Sequence, residues 1–182
     1  ARRVDQALEE LVKLQEQKEK RKKGDGKKAR ASTTDPEARN MKMADGGFRP
    51  AFNVQFATTG ETRLIVSAGV TNQGSDRGQM TPMHEDIKRR YGEQAKNYLV
   101  DGGFATKDEI TAMERDGVEV YAPIHGEDRM RKKGTDPHAR QPTDTDEMFE
   151  FRQRMATDAA KTLYQERPSI AEFPNAVCRN HG

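Results

Sequence analysis

The stretch that decides the fold is Tyr98-Leu99-Val100-Asp101-Gly102-Gly103-Phe104. Three residues that favour a β-strand run into a carboxylate, and two glycines then allow the backbone to turn sharply. In α/β proteins ligands bind at the carboxyl ends of the sheet strands, which is where Asp101 would lie. Taken alone, an Asp-Gly-Gly sequence is more often a turn than a metal ligand. It therefore marks a candidate site that needs support from elsewhere in the chain.

Predicted strands and helices alternate on both sides of this stretch. An opening hairpin turns at Gly60, and its first strand places Phe52, Val54 and Phe56 on one face. No strand is predicted before Phe48. The order β-β-α-β-α-β-loop-α predicts a mixed α/β sheet with helices on both faces. The predicted strands cover residues 51–57, 63–70, 98–100 and 118–124, and the predicted helices cover 79–91 (with Met80, Met83, Ile87 and Tyr91 on one face), 106–116 and 146 onward to a kink at Pro168.

The N-terminal arm has a different character. Residues 2–22 carry apolar side chains at helical spacing, which predicts an amphipathic helix. Between Lys18 and Arg30 lie eight Lys or Arg residues and only two acidic ones. A block of like charge is usually a solvated stretch, and contact with phosphates is the sharper reading. We therefore expect an arm of helix and basic linker over 1–31 and a folded domain over 32–182, with a mobile loop at about 125–145.

Composition excludes several classes of protein. Only 32% of the 182 residues are hydrophobic, so the core must be small. The single cysteine, Cys178, excludes an internal disulfide and a multi-cysteine zinc site. No apolar run approaches the length of a membrane span. These features predict a soluble protein in a reducing compartment that does not contact membranes.

A second constellation lies near the C-terminus, where Tyr164, Arg167 and Glu172 follow a long helical pattern. The simplest interpretation is that Tyr164 and Arg167 pack and pair along the helix and that Glu172 is solvated. The sharper interpretation joins Glu172 to Asp101. Two carboxylates on different elements can converge on a divalent cation, and such a cation can support phosphoryl-transfer chemistry.

Several segments, in their order along the chain, resemble bacterial insertion-sequence transposases of the DDE type. The C-terminal Tyr164-x2-Arg167-x4-Glu172-x6-Arg179 is similar to their signature of Tyr, Arg, Glu and Lys. The resemblance runs from about residue 30 to the end of the chain. Its other segments are Ser32-Thr33-Thr34-Asp35-Pro36-Glu37-Ala38-Arg39, Phe52-Asn53-Val54-Gln55, Thr71-Asn72 with Asp76, and Val100-Asp101-Gly102-Gly103-Phe104.

This resemblance implies an RNase H-like fold and a metal-dependent nuclease site. Asp101 would be the second catalytic carboxylate and Glu172 the third, and together they would hold Mg2+, with Mn2+ as a substitute. Tyr164, Arg167 and Arg179 would contact phosphates of the transposon ends. Other DNA contacts are expected from the arm lysines, which are Lys22, Lys23, Lys27 and Lys28.

The implied partners are double-stranded DNA, as transposon ends and target, and a second copy of the chain in a homo-oligomer. The implied location is the bacterial cytoplasm, at the nucleoid. The intact enzyme would cleave DNA strands and transfer them during transposition of an insertion sequence.

Three departures from the family pattern keep other interpretations open. Four residues separate Arg167 from Glu172 where the signature has three, and Arg179 replaces the final Lys. The family's first catalytic Asp, on an upstream strand in an Asp-Gly-Thr context, is missing, and Asp5 on the arm helix is a poor substitute. We therefore expect a C-terminal portion of the enzyme whose domain lacks its first strand. The alternative is a non-catalytic DNA-binding or regulatory remnant, and a third possibility is a decayed, unfolded fragment.

Overall fold

The computed structural model describes residues 2–43 and 45–180, without the side chains of residues 175 and 178–180. This part of the chain is mixed α/β, as predicted. Its helices are α1 (Arg2–Arg21), α2 (Met80–Tyr91), α3 (Lys107–Arg115), α4 (Glu127–Lys132), α5 (Asp146–Ala156), α6 (Asp158–Gln165) and α7 (Arg167–Asn180), and its strands are β1 (Arg39–Lys42), β2 (Phe48–Ala51), β3 (Asn53–Thr58), β4 (Ile65–Thr71), β5 (Asn97–Leu99) and β6 (Glu119–Tyr121).

The chain divides into two compact units, of which the first comprises residues 1–55 and 70–75. Its helix α1 confirms the predicted amphipathic helix, with Ala7 and Leu14 buried. After the helix, the Glu19 carboxylate accepts hydrogen bonds from the backbone N–H groups of Gly24 and Gly26, at 2.8 and 3.0 Å. A Cβ at Gly26 would lie 2.9 Å from Glu19 Oε2, so glycine is needed for this close approach. The middle of the basic stretch, at Gly24 to Gly26, is thus folded against the end of α1.

The expectation that no strand precedes Phe48 is wrong. Strand β1 pairs antiparallel with β2, with Arg39 opposite Ala51 and Lys42 opposite Phe48. The strand was missed because it is four residues long and its side chains are exposed or half-buried, so it has no buried apolar face that a pattern could reveal. Strand β1 reads Arg-Asn-Met-Lys and supplies no carboxylate.

The second unit, residues 56–69 and 76–182, contains the main hydrophobic core. Strands β5 and β6 pair in parallel, with Tyr98 opposite Val120. Helices α3 and α5 pack on this pair, and Val120 and Phe151 are fully buried between them. The Val100 N–H continues the pairing by donating to the Tyr121 carbonyl at 3.0 Å. This fixed strand end positions Asp101.

Among the residues described, the strands pair two by two, as β1–β2, β3–β4 and β5–β6, and do not join in one sheet. The apolar face predicted for the first hairpin is largely exposed, with Val54 49% exposed and Phe52 36% exposed. On β4 the buried residue is Ser67, and its hydroxyl donates a hydrogen bond to the Asp86 carboxylate of α2 at 2.5 Å. Helix α2 itself turns Tyr91 outward, and His84 is buried instead.

The long C-terminal helix is interrupted earlier than predicted. Thr157 has an extended backbone (ψ 147°), and its hydroxyl accepts a hydrogen bond from the Ala160 N–H, which caps α6. Helix α7 then begins at Arg167, beside Pro168. The stretch expected as a loop over 125–145 contains the short helix α4, and its mobility stays a prediction.

Candidate active site

The Asp101 carboxylate lies just after β5, at the end of the parallel pair. Its Oδ1 accepts a hydrogen bond from the Gly103 N–H at 2.8 Å, and its carbonyl accepts one from the Phe104 N–H at 3.2 Å. The side chain is 42% exposed. The two glycines thus fold the chain back beneath a carboxylate that remains open to solvent.

A second carboxylate, that of Asp76, lies close to the first. A Cβ at Gly103 would lie 2.9 Å from Asp101 Oδ1 and 3.2 Å from Asp76 Oδ2. Both carboxylate oxygens therefore lie close to the Cβ position of residue 103. Only glycine, which has no Cβ, leaves this position empty. The sequence analysis gives Asp76 no role. The signal that could have suggested one is its position, with Thr71 and Asn72, in a segment that resembles the transposases.

Arg167 reaches this site from the junction of α6 and α7. Its Nη2 donates to Asp101 Oδ2 at 3.2 Å, while its Nε is buried and has no hydrogen-bond partner among the residues that the structure describes. The turn between β3 and β4 contacts the same junction, because Arg63 donates to the Ser169 hydroxyl at 3.2 Å. Arg167 thus contacts a residue 66 positions away in the sequence.

Tyr164 lies half-buried against the hydrophobic core. Burial raises the pKa of its hydroxyl; the Arg167 charge opposes this rise and the Asp101 charge adds to it. The phenol therefore stays protonated at neutral pH, where it can donate a hydrogen bond to an anionic oxygen.

Comparison with known proteins identifies the family of this chain. A family model described as a transposase DDE domain matches residues 14–170. The chain belongs to this family. No curated protein and no solved structure matches this chain. Asp101, Tyr164 and Arg167 lie inside the matched segment, and Glu172 and Arg179 lie beyond its end.

In this transposase domain Glu172 has an exposed side chain on α7. It follows Arg167 by five positions, which on an α-helix corresponds to about 140° around the axis. The family spacing of four positions would leave the two side chains about 40° apart. The extra residue therefore places Glu172 about 100° further around the helix axis from Arg167 than the family spacing would. Its convergence with Asp101 stays a prediction, and the Arg179 side chain lies outside the described residues.

The four arm lysines of the transposase domain are exposed. Lys28 pairs with Asp25 at 2.7 Å, and Lys27 and Lys28 belong to a short 3-10 turn. Within the described ranges no three His, Cys, Asp or Glu residues are grouped so that they could hold a metal ion. No helix in the described part is long and apolar enough to span a membrane.

Proposed function

We propose that this chain is the C-terminal catalytic-domain portion of an insertion-sequence transposase. The intact enzyme would cleave DNA strands at transposon ends and transfer them to target DNA. Family membership supports this proposal, and the observation that carries it is the placement of Asp101. This carboxylate stands solvent-open at the end of a parallel strand pair, and the arginine of the family signature contacts it.

The donor set at Asp101 fits a divalent cation. Carboxylate oxygens are the ligands that Mg2+ and Mn2+ prefer, and Asp76 adds a second carboxylate across Gly103. The Arg167 guanidinium already places a positive charge there. When bound, the cation would supply Lewis-acid activation of a phosphodiester and of the attacking oxygen. Asp101 would hold it, and Glu172 would complete the site.

The remaining residues of the signature would hold and orient DNA. An arginine guanidinium matches a phosphate with two parallel donors, and Arg167 and Arg179 would serve in this way. The protonated Tyr164 hydroxyl would donate to a phosphate oxygen. Such contacts position the double helix without reading its sequence. The arm lysines would add salt-sensitive affinity.

The RNase H-like arrangement also belongs to this proposal. Helix α2 contacts both β4, through Ser67 and Asp86, and β5, through His84 and the Tyr98 hydroxyl at 3.3 Å. These two strands nevertheless belong to different sheets in the described chain. This supports a fold whose joining strand, with the first catalytic Asp, is not supplied by the residues described. We therefore expect this chain alone not to cut DNA.

A non-catalytic DNA-binding or regulatory remnant is the alternative. The observation that favours it is that no three-carboxylate group occurs in the described ranges. The coding DNA directly upstream separates the two. An in-frame strand carrying Asp-Gly-Thr would favour the enzyme, and a stop codon there would favour the remnant.

The direct test is a titration with Mn2+, followed by electron paramagnetic resonance. The purified chain should bind Mn2+, and Asp101→Asn should remove that binding. Asp108→Asn is the matched control, because it removes an equal charge from an exposed position on α3. Binding that survives in Asp101→Asn would overturn the assignment of Asp101 as a metal ligand.

A further inference from the structure

The contact between Arg167 and Asp101 is loose compared with other ion pairs in the same unit. Arg154 donates two hydrogen bonds to the Glu114 carboxylate, at 2.6 and 2.7 Å. The described contact of Arg167 with Asp101 is a single bond of 3.2 Å, and charge-assisted bonds are ordinarily about 2.7–2.9 Å long. Arg167 is therefore placed beside the carboxylate without the geometry of a permanent structural clamp.

The Arg167 guanidinium also leaves one of its own donors unused. Within the described part of the chain, its Nε is buried without a hydrogen-bond partner. A buried donor without a partner destabilises the arrangement that creates it, since it has lost water and gained nothing in return. An alternative position in which Nε meets an acceptor would relieve this cost. A phosphate oxygen is such an acceptor, and it suits the guanidinium fork.

The Asp101 carboxylate lies next to a second carboxylate, that of Asp76. Asp101 Oδ1 and Asp76 Oδ2 border the same point at Gly103, and Arg167 bonds to the other Asp101 oxygen. Neighbouring negative charges favour a cation of higher charge than one guanidinium. A divalent ion would therefore interact more strongly with this carboxylate than Arg167 does.

We propose that Arg167 and a divalent cation compete for Asp101, so that metal binding releases Arg167 to a DNA phosphate. This inference rests on the proposed function in one respect, because it takes Asp101 as a metal ligand. Its consequence is that metal and DNA strengthen each other's binding. Such coupling is reciprocal, so DNA must raise metal affinity by the same factor.

The first test measures Mn2+ affinity without DNA. Arg167→Gln removes the competitor, so Mn2+ should bind about 5-fold more tightly or better, which is the lower end of typical coupling. Arg63→Gln is the matched control, because Arg63 contacts the same junction through Ser169. It should leave the affinity unchanged. Thermal unfolding of each variant checks that the fold is retained.

The second test measures DNA affinity by fluorescence anisotropy at constant ionic strength. Mn2+ should strengthen DNA binding of the unmodified chain and have no such effect on Arg167→Gln. Asp101→Asn should also lose the response, since it neither binds the ion nor holds Arg167.

The outcomes are distinguishable. If the unmodified chain binds Mn2+ and Arg167→Gln binds it equally or less tightly, the competition is overturned and the metal site stands. If no form binds Mn2+, the metal assignment itself is overturned, and the competition with it.

Discussion

Arg152 and Asp144 form an ion pair of 2.7 Å in which only 5% and 0% of the two side chains are exposed. Lys107 at the start of α3 donates to the same carboxylate at 2.8 Å, and so does the Gln141 N–H at 2.9 Å. Arg152 also donates to the Pro137 carbonyl at 2.6 Å. The end of the charged 125–145 stretch is thereby fixed to α3 and α5.

We expect Asp144→Asn to destabilise the chain by about 3–5 kcal/mol, because it leaves the Arg152 charge buried without its partner. Chemical denaturation measures this. The matched control is Asp146→Asn, two residues away, since Asp146 is 82% exposed where it pairs with Arg140. That exposed pair should contribute at most about 1 kcal/mol. Equal losses in the two variants would contradict the buried-pair argument.

Acid should remove a contribution from Asp86. The Ser67 hydroxyl and the Arg90 and Arg89 guanidinium groups lower the pKa of this carboxyl from 3.8 to about 2. A depressed folded pKa stabilises the fold above the unfolded value, and this contribution is lost as the pH falls from about 4 to about 2. The stability difference between the unmodified chain and Asp86→Asn should therefore close over that window.

Urea titrations at several pH values measure this difference. The neighbouring Glu85→Gln, at an exposed position, is the control. A difference between Asp86→Asn and the unmodified chain that stays constant down to pH 2 would count against the depressed pKa.

The glycine pair offers a matched test of the site's geometry. Gly103→Ala would place a methyl group 2.9 Å from Asp101 Oδ1, whereas a Cβ at Gly102 would meet no described neighbour within 4 Å. We expect Gly103→Ala to weaken Mn2+ binding by about 10-fold, which corresponds to about 1.4 kcal/mol and falls within the roughly 1–3 kcal/mol that local strain typically costs. Gly102→Ala should change it little. If the two variants behave alike, the carboxylates are not held against Gly103 in the metal-bound chain.

DNA binding should depend steeply on salt. Each neutralised phosphate contributes about −0.9 to the slope of log affinity against log salt, so four or five contacts give a slope near −4. Neutralising Lys22, Lys23, Lys27 and Lys28 together should flatten that slope by about 2 or more. The control neutralises the four basic residues in and after α4, which are Arg129, Arg131, Lys132 and Lys133. An unchanged slope in the arm variant would make the arm a solvated linker.

Local signals predicted the elements around Asp101 well. Of the three β-formers before the aspartate, Tyr98 and Leu99 lie in β5. Thr106, whose hydroxyl accepts a hydrogen bond from the Glu109 N–H, caps α3 near the expected start. These features depend on neighbours in sequence, so a pattern can reveal them. The family of the chain was also predicted, from segments whose order is more specific than any one of them.

Features that depend on tertiary packing could not be predicted from the sequence pattern. Alternation defines two faces of β3 but does not say which is covered, and Val54 is left exposed. Apolar spacing continues past Thr157, although its backbone leaves the helix there. The contact of Arg167 with Asp101 joins residues that no local rule connects. The RNase H-like arrangement and the role of Glu172 stay predictions.

The hydrophobic core is concentrated in α3, β6 and α5. Backbone amides in different parts of this unit should therefore exchange with solvent at different rates. Amides near Val120 and Phe151 are surrounded by fully buried side chains, so their exchange with heavy water should require opening of the whole unit. The ladder of β3 and β4, with exposed apolar side chains and two strands only, should exchange through local fluctuations. Asp101 lies just after β5, at the edge of the region where we expect slow exchange, and Arg167 approaches it from the junction of α6 and α7. If exchange is slow up to Asp101 and faster at the junction of α6 and α7, Arg167 can leave the carboxylate while the strand end that carries Asp101 stays folded.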